Sequence, residues 1–251
     1  FRRGTALRYS IRAGLPYLLL TGASGSRLST PDAASLDIAG DWAIAVEVEA
    51  PVYLAPTGIS YELIGKFNNT GNQRSILLFM STSGELRLRW STDGTGPGER
   101  TAGSTVSAPR PIAGTVCYAA WLDVNDGAGG HKVRFYAAPS LADLIASPST
   151  WQLGPDGDSG VGGTTSVFAS TATLDLGDVS GSGFSPFPGR VRKAQVRAGD
   201  FATGTIQAQP DITVQADGAT SFSDGIRTWT VNTPAAIQRW QTRFLGQITD
   251  I

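Results

Sequence analysis

The plainest signal along the chain is a period of two. Trp42, Ile44, Val46 and Val48 alternate with Ala43, Ala45, Glu47 and Glu49, which predicts a strand with one face in a core and the other turned away from it. Leu86, Leu88 and Trp90 alternate with Glu85, Arg87 and Arg89, and the preceding run Arg74–Met80 joins them through Ser81–Gly84, so the two segments read as a hairpin. A second hairpin is predicted from Val116–Val124 and Lys132–Tyr136 around the loop Asn125–Gly130. Further strands are expected at Glu62–Phe67, Thr173–Val179, Arg190–Arg197 and Arg227–Val231, with Gly- or Pro-rich segments between them. Two stretches depart from this rhythm: Ser140–Ala146 reads as one short helix and Gly154–Thr165 as a loop. Near the end, Ile237, Trp240, Phe244, Ile248 and Ile251 recur every three or four residues after Pro234, the pattern of an amphipathic helical tail.

Composition reinforces the β reading. Of 251 residues, 31 are Gly, 23 Ser and 25 Thr, a share that supplies turns and disfavours long helices. Regular strand spacing then implies one antiparallel sandwich rather than scattered hairpins. Twenty Lys and Arg against 21 Asp and Glu give a formal charge of -1, so a basic surface for nucleic acid is not expected. The longest apolar runs, such as Val116–Leu122, are far below the roughly 20 residues a membrane-spanning helix needs, so no membrane insertion is expected. Cys117 is the single cysteine and His131 the single histidine, which removes an intrachain disulfide and a Cys/His zinc site from consideration. The start, Phe1–Thr5, carries no initiator Met and no apolar leader core, which suggests a beginning inside a longer gene product or after a processing cut.

Several segments carry a family resemblance. Tyr17–Gly25, Ser29–Ile38 and Gly40–Trp42 resemble the opening of laminin-G-like, concanavalin A-like domains, and Glu62–Phe67, Leu122–Gly127, Phe187–Val191 and Ala194–Val196 follow in the matching order. The wording of Asn72–Ser75, Trp90–Gly94, Gly218–Asp224 and Thr228–Asn232 is similar to copies of that domain in minor tail proteins of actinobacterial phages. The likeness runs over about residues 15 to 233. It implies an all-β, two-sheet antiparallel jelly-roll sandwich over 16–233, with an irregular extension at 1–15 and the helix-patterned extension at 234–251. It also implies glycan binding or a spacer role in a large assembly, which the fold by itself does not decide.

Candidate chemistry is sparse. Glu47 and Glu49 share one face of a strand at roughly 6.5–7 Å spacing, near the carboxylate separation of glycosidases. Related jelly-roll glucanases carry Glu-x-Asp-x-x-Glu, however, and Val46–Pro51 lacks the third acid. Arg87 and Arg89 are the expected cross-strand partners, which would hold both glutamates ionised on a solvated face instead of raising one pKa. Asp123, Asn125 and Asp126 offer oxygen ligands and loosely resemble a calcium loop, but Asn, Asp and Gly are also what a hairpin turn demands. No Gly-x-Ser-x-Gly elbow accompanies His131, and Cys117 lies in an apolar strand where a buried, inert thiol is the ordinary outcome. Trp42, Trp90 and Trp121 are in phase with apolar neighbours and are expected in the core, which leaves Trp151, Phe184 and Phe187 as candidate glycan-stacking residues.

The expectation is therefore a non-enzymatic, surface-exposed virion component of a phage tail or fibre, using a lectin-like sandwich for host-envelope glycans or for assembly. Its partners would be other virion proteins and further copies of itself, with Arg2, Arg3, Ile237, Trp240, Phe244 and Ile248 as contacts. No cofactor is implied beyond the calcium that the Asp123 loop suggests. Three rival readings are a purely architectural virion protein, a glycoside hydrolase acting on envelope polysaccharide, and a secreted cellular adhesin.

Overall fold

The structure is a computed structural model, and it describes residues 14–49, 58–110, 113–157 and 159–239. Of the residues singled out above, Arg2, Arg3, Trp240, Phe244, Ile248 and Ile251 lie outside that set. In chain order the described strands are β1 (Tyr17–Thr21), β2 (Arg27–Thr30), β3 (Trp42–Glu49), β4 (Tyr61–Asn68), β5 (Gln73–Met80), β6 (Glu85–Ser91), β7 (Glu99–Ser107) and β8 (Thr115–Asp123). They continue with β9 (Lys132–Ala138), β10 (Leu174–Leu176), β11 (Ser185–Pro186), β12 (Pro188–Ala198), β13 (Thr205–Ala208), β14 (Ser221–Ser223), β15 (Thr228–Asn232) and β16 (Ala236–Gln238). One α-helix, α1 (Leu141–Ala146), follows β9, and a 3-10 turn at Pro148–Trp151 follows α1.

These strands form two sheets. A seven-stranded sheet runs β16-β1-β12-β3-β8-β9 with β13 added on β12, and a nine-stranded sheet runs β14-β15-β2-β10-β4-β5-β6-β7 with β11 added on β4. All pairings are antiparallel except β11 on β4. The chain crosses repeatedly from one sheet to the other, which makes the molecule the two-layer sandwich that the strand spacing predicts, in the jelly-roll arrangement that the resemblance implies.

The period-two pattern decides which side chains fill the space between the layers. Trp42, Ile44, Val46 and Val48 meet Leu86, Leu88 and Trp90 in one buried cluster with Leu28, Tyr118, Leu122, Phe135, Leu174, Leu176 and Trp229. The β5–β6 turn closes where the Gly84 amide donates to Ser81 O at 2.9 Å, with Gly84 at φ +82°, a conformation only Gly adopts freely. Helix α1 starts on Ser140, whose Oγ accepts from the Asp143 amide at 3.1 Å as an N-cap.

Two expectations change at this level. Ile237, assigned above to the helical tail and to assembly contacts, is on β16, opposite Leu18 of β1, and is 1% exposed. Pairing with an edge strand turns its side chain into the sandwich, so the recurrence that includes it starts in a strand. Trp121 is the other: Cys117, Ala119 and Trp121 alternate away from Val116, Tyr118, Ala120 and Leu122, so they lie on the outer face of the seven-stranded sheet. No helix among the described residues is long and apolar enough to cross a membrane.

Candidate functional site

The outer face of the seven-stranded sheet carries the candidate site, and small residues create it. Ala43, Ala45, Cys117 and Ala119 stand under α1 and Phe201, packed with Leu141, Leu144 and Tyr136. Short side chains let the helix and the Phe201 loop come close to the sheet, and they leave recesses to either side. Cys117 is a free, fully buried thiol whose pKa burial pushes well above its ordinary value, as an inert core residue requires.

The first recess, about 360 Å³, is lined by Glu47, Lys193, Gln195, Gln209, Asp211 and the first turns of α1. Glu47 is 7% exposed, and its Oε2 accepts the Leu141 amide at 2.8 Å, so the carboxylate anchors the N-terminus of α1 to β3. Glu49 pairs with Arg192 at 2.9 Å. The expected partners are elsewhere: Arg87 and Arg89 belong to the nine-stranded sheet and pair with Glu85 and Glu99, because the neighbours of β3 are β8 and β12 rather than β6. The solvated, ion-paired face drawn from the sequence is thereby corrected for Glu47, which is buried, and for the partners, while Glu49 is ion-paired as expected, with Arg192. Asp211 in the same recess pairs with Lys193 at 2.9 Å. Burial pushes its carboxyl up, but the Thr213 hydroxyl and Lys193 outweigh burial and hold it below the ordinary range, the wrong direction for a general acid.

The second recess, about 260 Å³, lies beyond the Pro148–Trp151 turn. Its walls are Trp121, Tyr136 and Phe201, with Arg134, Gln152 and Asp200 as the polar groups. Trp121 and Arg134 are opposite one another across β8 and β9, and the guanidinium stands 5.0 Å from the indole centroid. Arg134 Nε donates to Asp156 Oδ1 at 2.8 Å, where Gln152 Nε2 also donates at 3.0 Å. Tyr136 meets Phe201 edge to face at 5.7 Å, and burial, partly countered by Arg134, pushes its phenol up to about 12, so it remains a neutral donor. Asp200 Oδ1 accepts from the Thr203 amide at 2.6 Å, the Thr203 hydroxyl at 3.0 Å and the Ala202 amide at 3.0 Å; these bonds hold its carboxyl below the usual range. The Trp121 indole N–H is buried and has no hydrogen-bond partner among the described residues.

The residues named from sequence are dispersed. Trp151 is partly buried against the outer-face cluster and lines a shallow 380 Å³ groove with Pro109, Arg110 and Pro139. Phe184 sits on the opposite sheet, stacked on Phe79 at 4.5 Å with the Arg89 guanidinium 4.5 Å from its centroid. Phe187 is 1% exposed and belongs to the core, which corrects its reading as a stacking residue: after β11 its side chain turns inward between the sheets. The Asp123 loop forms a set of side-chain-to-amide turns. Asp123 Oδ1 accepts from the Asn125 amide at 3.2 Å, Asn125 Oδ1 from the Gly127 amide at 3.2 Å, and Asp126 Oδ1 from the Ala128 and Gly130 amides at 2.9 Å each. No group of three or more His, Cys, Asp or Glu placed to hold a metal occurs among the described residues.

His131 lies with Nε2 2.8 Å from Ser159 Oγ and Nδ1 2.7 Å from Gly163 O. A main-chain carbonyl thus stands where a triad would have a carboxylate, and the imidazole ties two loops together. Sequence reasoning misses the second recess. Its one legible signal is Trp121 in phase with Cys117 and Ala119, a set whose small members mark a covered outer face, whereas Asp200 and Phe201 arrive on the loop after Gly199 with no periodic signature.

No protein-family model matches the chain, and no curated protein matches it in sequence. Solved structures similar to it include the Ruminococcus gnavus IT-sialidase CBM40, at 15% identity over 69% of this chain and 88% of that one, with a TM-score of 0.43. The same module bound to alpha2,3 sialyllactose is 14% identical over 69% and 89% of the two chains, with a TM-score of 0.44. Domains LG4-5 of the mouse laminin alpha1 chain are 16% identical over 73% of this chain and 41% of that one, with a TM-score of 0.45.

Proposed function

We propose that the chain is a non-enzymatic, lectin-like module that binds glycans through the Trp121–Tyr136–Phe201 recess, carried on the surface of a phage virion in the tail or fibre region. The observation that carries the binding half is the recess itself: the partly exposed Trp121 indole, backed by the buried Tyr136 and Phe201 rings, beside an amide, a carboxylate and a guanidinium, the combination that packs a sugar C–H face while bonding hydroxyls. Weak single sites of this kind become useful when several copies act together. The virion half rests on the resemblance of Asn72–Ser75, Trp90–Gly94 and Gly218–Asp224 to phage minor tail proteins. Partners in that setting are neighbouring virion proteins, further copies of the chain and host-envelope glycans.

Glycan arrays and titration of the wild-type chain beside Trp121→Ala test the binding half. Saturable binding that weakens at least about tenfold in the variant, with the fold retained by circular dichroism, is the expected result. Binding indifferent to the substitution, or none to any glycan, would overturn it. Antibody labelling of purified virions tests the location, with decoration of the tail expected and unlabelled particles counting against it.

A further inference from the structure

We infer that the recess selects an uncharged sugar ring and rejects anionic sugars such as uronic and sialic acids; the inference rests on the recess being the glycan site. A carboxylated ligand needs an unengaged cation or a set of free amides. The two cations near the recess each have partners already and are outnumbered by carboxylates. Arg134, the cation on its wall, stacks on Trp121 and is paired through Nε with Asp156 at 2.8 Å. The nearby Arg197 is 8% exposed and donates to Gln195 Oε1 at 2.7 Å and Gly204 O at 3.0 Å. Against these two cations stand Asp156, Asp200 and Asp123, the last coupled electrostatically to Arg134.

Asp200 sets the sign at the mouth. Its Oδ1 is held by the Thr203 and Ala202 donors, which keep the group ionised at neutral pH, on a loop that also supplies the Phe201 wall. At the mouth of a concave recess the field of such a charge reaches the entering ligand, so an incoming carboxylate meets repulsion, whereas a hydroxyl meets an acceptor. At about 260 Å³ the recess falls below the roughly 300–1,000 Å³ of drug-sized sites, a size for a single ring rather than a chain segment.

The test titrates wild-type protein with matched pairs, methyl galactoside against methyl galacturonide and methyl glucoside against methyl glucuronide, by calorimetry or saturation-transfer NMR. The neutral member of a pair is expected to bind at least about tenfold tighter, with the gap narrowing several-fold as ionic strength rises past roughly 0.15 M. Asp200→Asn should narrow the gap at low salt. If that variant loses its turn, the salt series on wild-type protein still measures the repulsion. Uronides binding as tightly as neutral sugars, in a manner lost with Trp121→Ala, would overturn the selectivity while leaving the glycan site standing. No binding by any sugar would overturn both.

Discussion

The two outer faces of the sandwich are built on opposite plans. On the seven-stranded sheet the residues beneath the covering elements are small, Ala43, Ala45, Cys117 and Ala119, and α1 and Phe201 rest on them with recesses alongside. On the nine-stranded sheet they are large. Phe67, Leu77 and Phe79 close with Val179 and Phe184 of the 177–187 loop, and Arg89 lies over the rings at 4.5 to 6.0 Å from their centroids. One face leaves recesses of about 360 and 260 Å³ with polar groups around them; the other is covered by aromatic volume and a buried acid, with a recess of about 240 Å³ where Phe184 meets Ser60 and Thr82. The proposed glycan site lies on the first face, where short side chains beneath the covering elements leave room that bulkier ones would fill.

The sharpest way to break the contrast is pH. Glu62, 1% exposed, accepts the Val179 amide at 2.5 Å and thereby pins the sealing loop to β4. Burial, reinforced by Asp178 and Asp175, pushes its carboxyl up to about 8 despite that bond. The native state therefore holds a proton that the unfolded chain gives up near 4.5, so the stabilisation is complete below that pH. It is lost as pH climbs toward 8, with no further change from this group above it. Chemical denaturation from about pH 5 to 9 should show a decline of about 3–5 kcal/mol that Glu62→Gln flattens. An unchanged slope in the variant would assign the decline to other groups.

On the open face, Phe201→Ala should cost about 3–4 kcal/mol, since the ring is fully buried against Tyr136 and the alanine floor. It should weaken glycan binding as well, because the recess loses the buried ring that backs it. A melt shifted by less than a degree would mean that the loop collapses to refill the space. Ala119→Leu probes the same face from below. Added volume under α1 should cost about 1–3 kcal/mol and shrink the recess, whereas the same change at an exposed position would do nearly nothing.

How far the sequence discloses this plan depends on whether a feature is local. The alternation in β3, the β5–β6 and β8–β9 hairpins and the Ser140-capped α1 all follow from neighbours in the chain, and each is found within a few residues of its predicted place. The partner of Glu47 is 94 residues away, and no periodicity announces that Leu141 will deliver its amide there. Sheet order is equally silent. Arg87 and Arg89 look like partners of Glu47 and Glu49 until β12 and β8 take both sides of β3. Phe187 and Ile237 mislead for a related reason: Ile237 sits in a three-residue strand too short to show a period and Phe187 in the single-residue gap between β11 and β12, so the facing of each is set by non-local contacts. Trp121 is legible through its small in-phase neighbours, but its aromatic character alone points to the core.

The smallest effect tests what seals the second face. Arg89→Met keeps the apolar stem against Phe79 and Phe184 and removes the charge. Burial already depresses the Arg89 pKa, with Glu99 opposing that trend, so the guanidinium loses solvation and recovers it through the rings and the ion pair at 3.6 Å. Glu99 is not abandoned when Arg89 goes, since Arg74 Nε pairs with it at 2.6 Å. The loss should therefore be that of the ring contacts alone, about 1 kcal/mol by urea denaturation, with glycan binding on the opposite face unchanged. A loss above about 3 kcal/mol would show instead that Arg89 holds Glu99 and the loop as one buried network, because removal of a partner from such a network leaves an uncompensated charge.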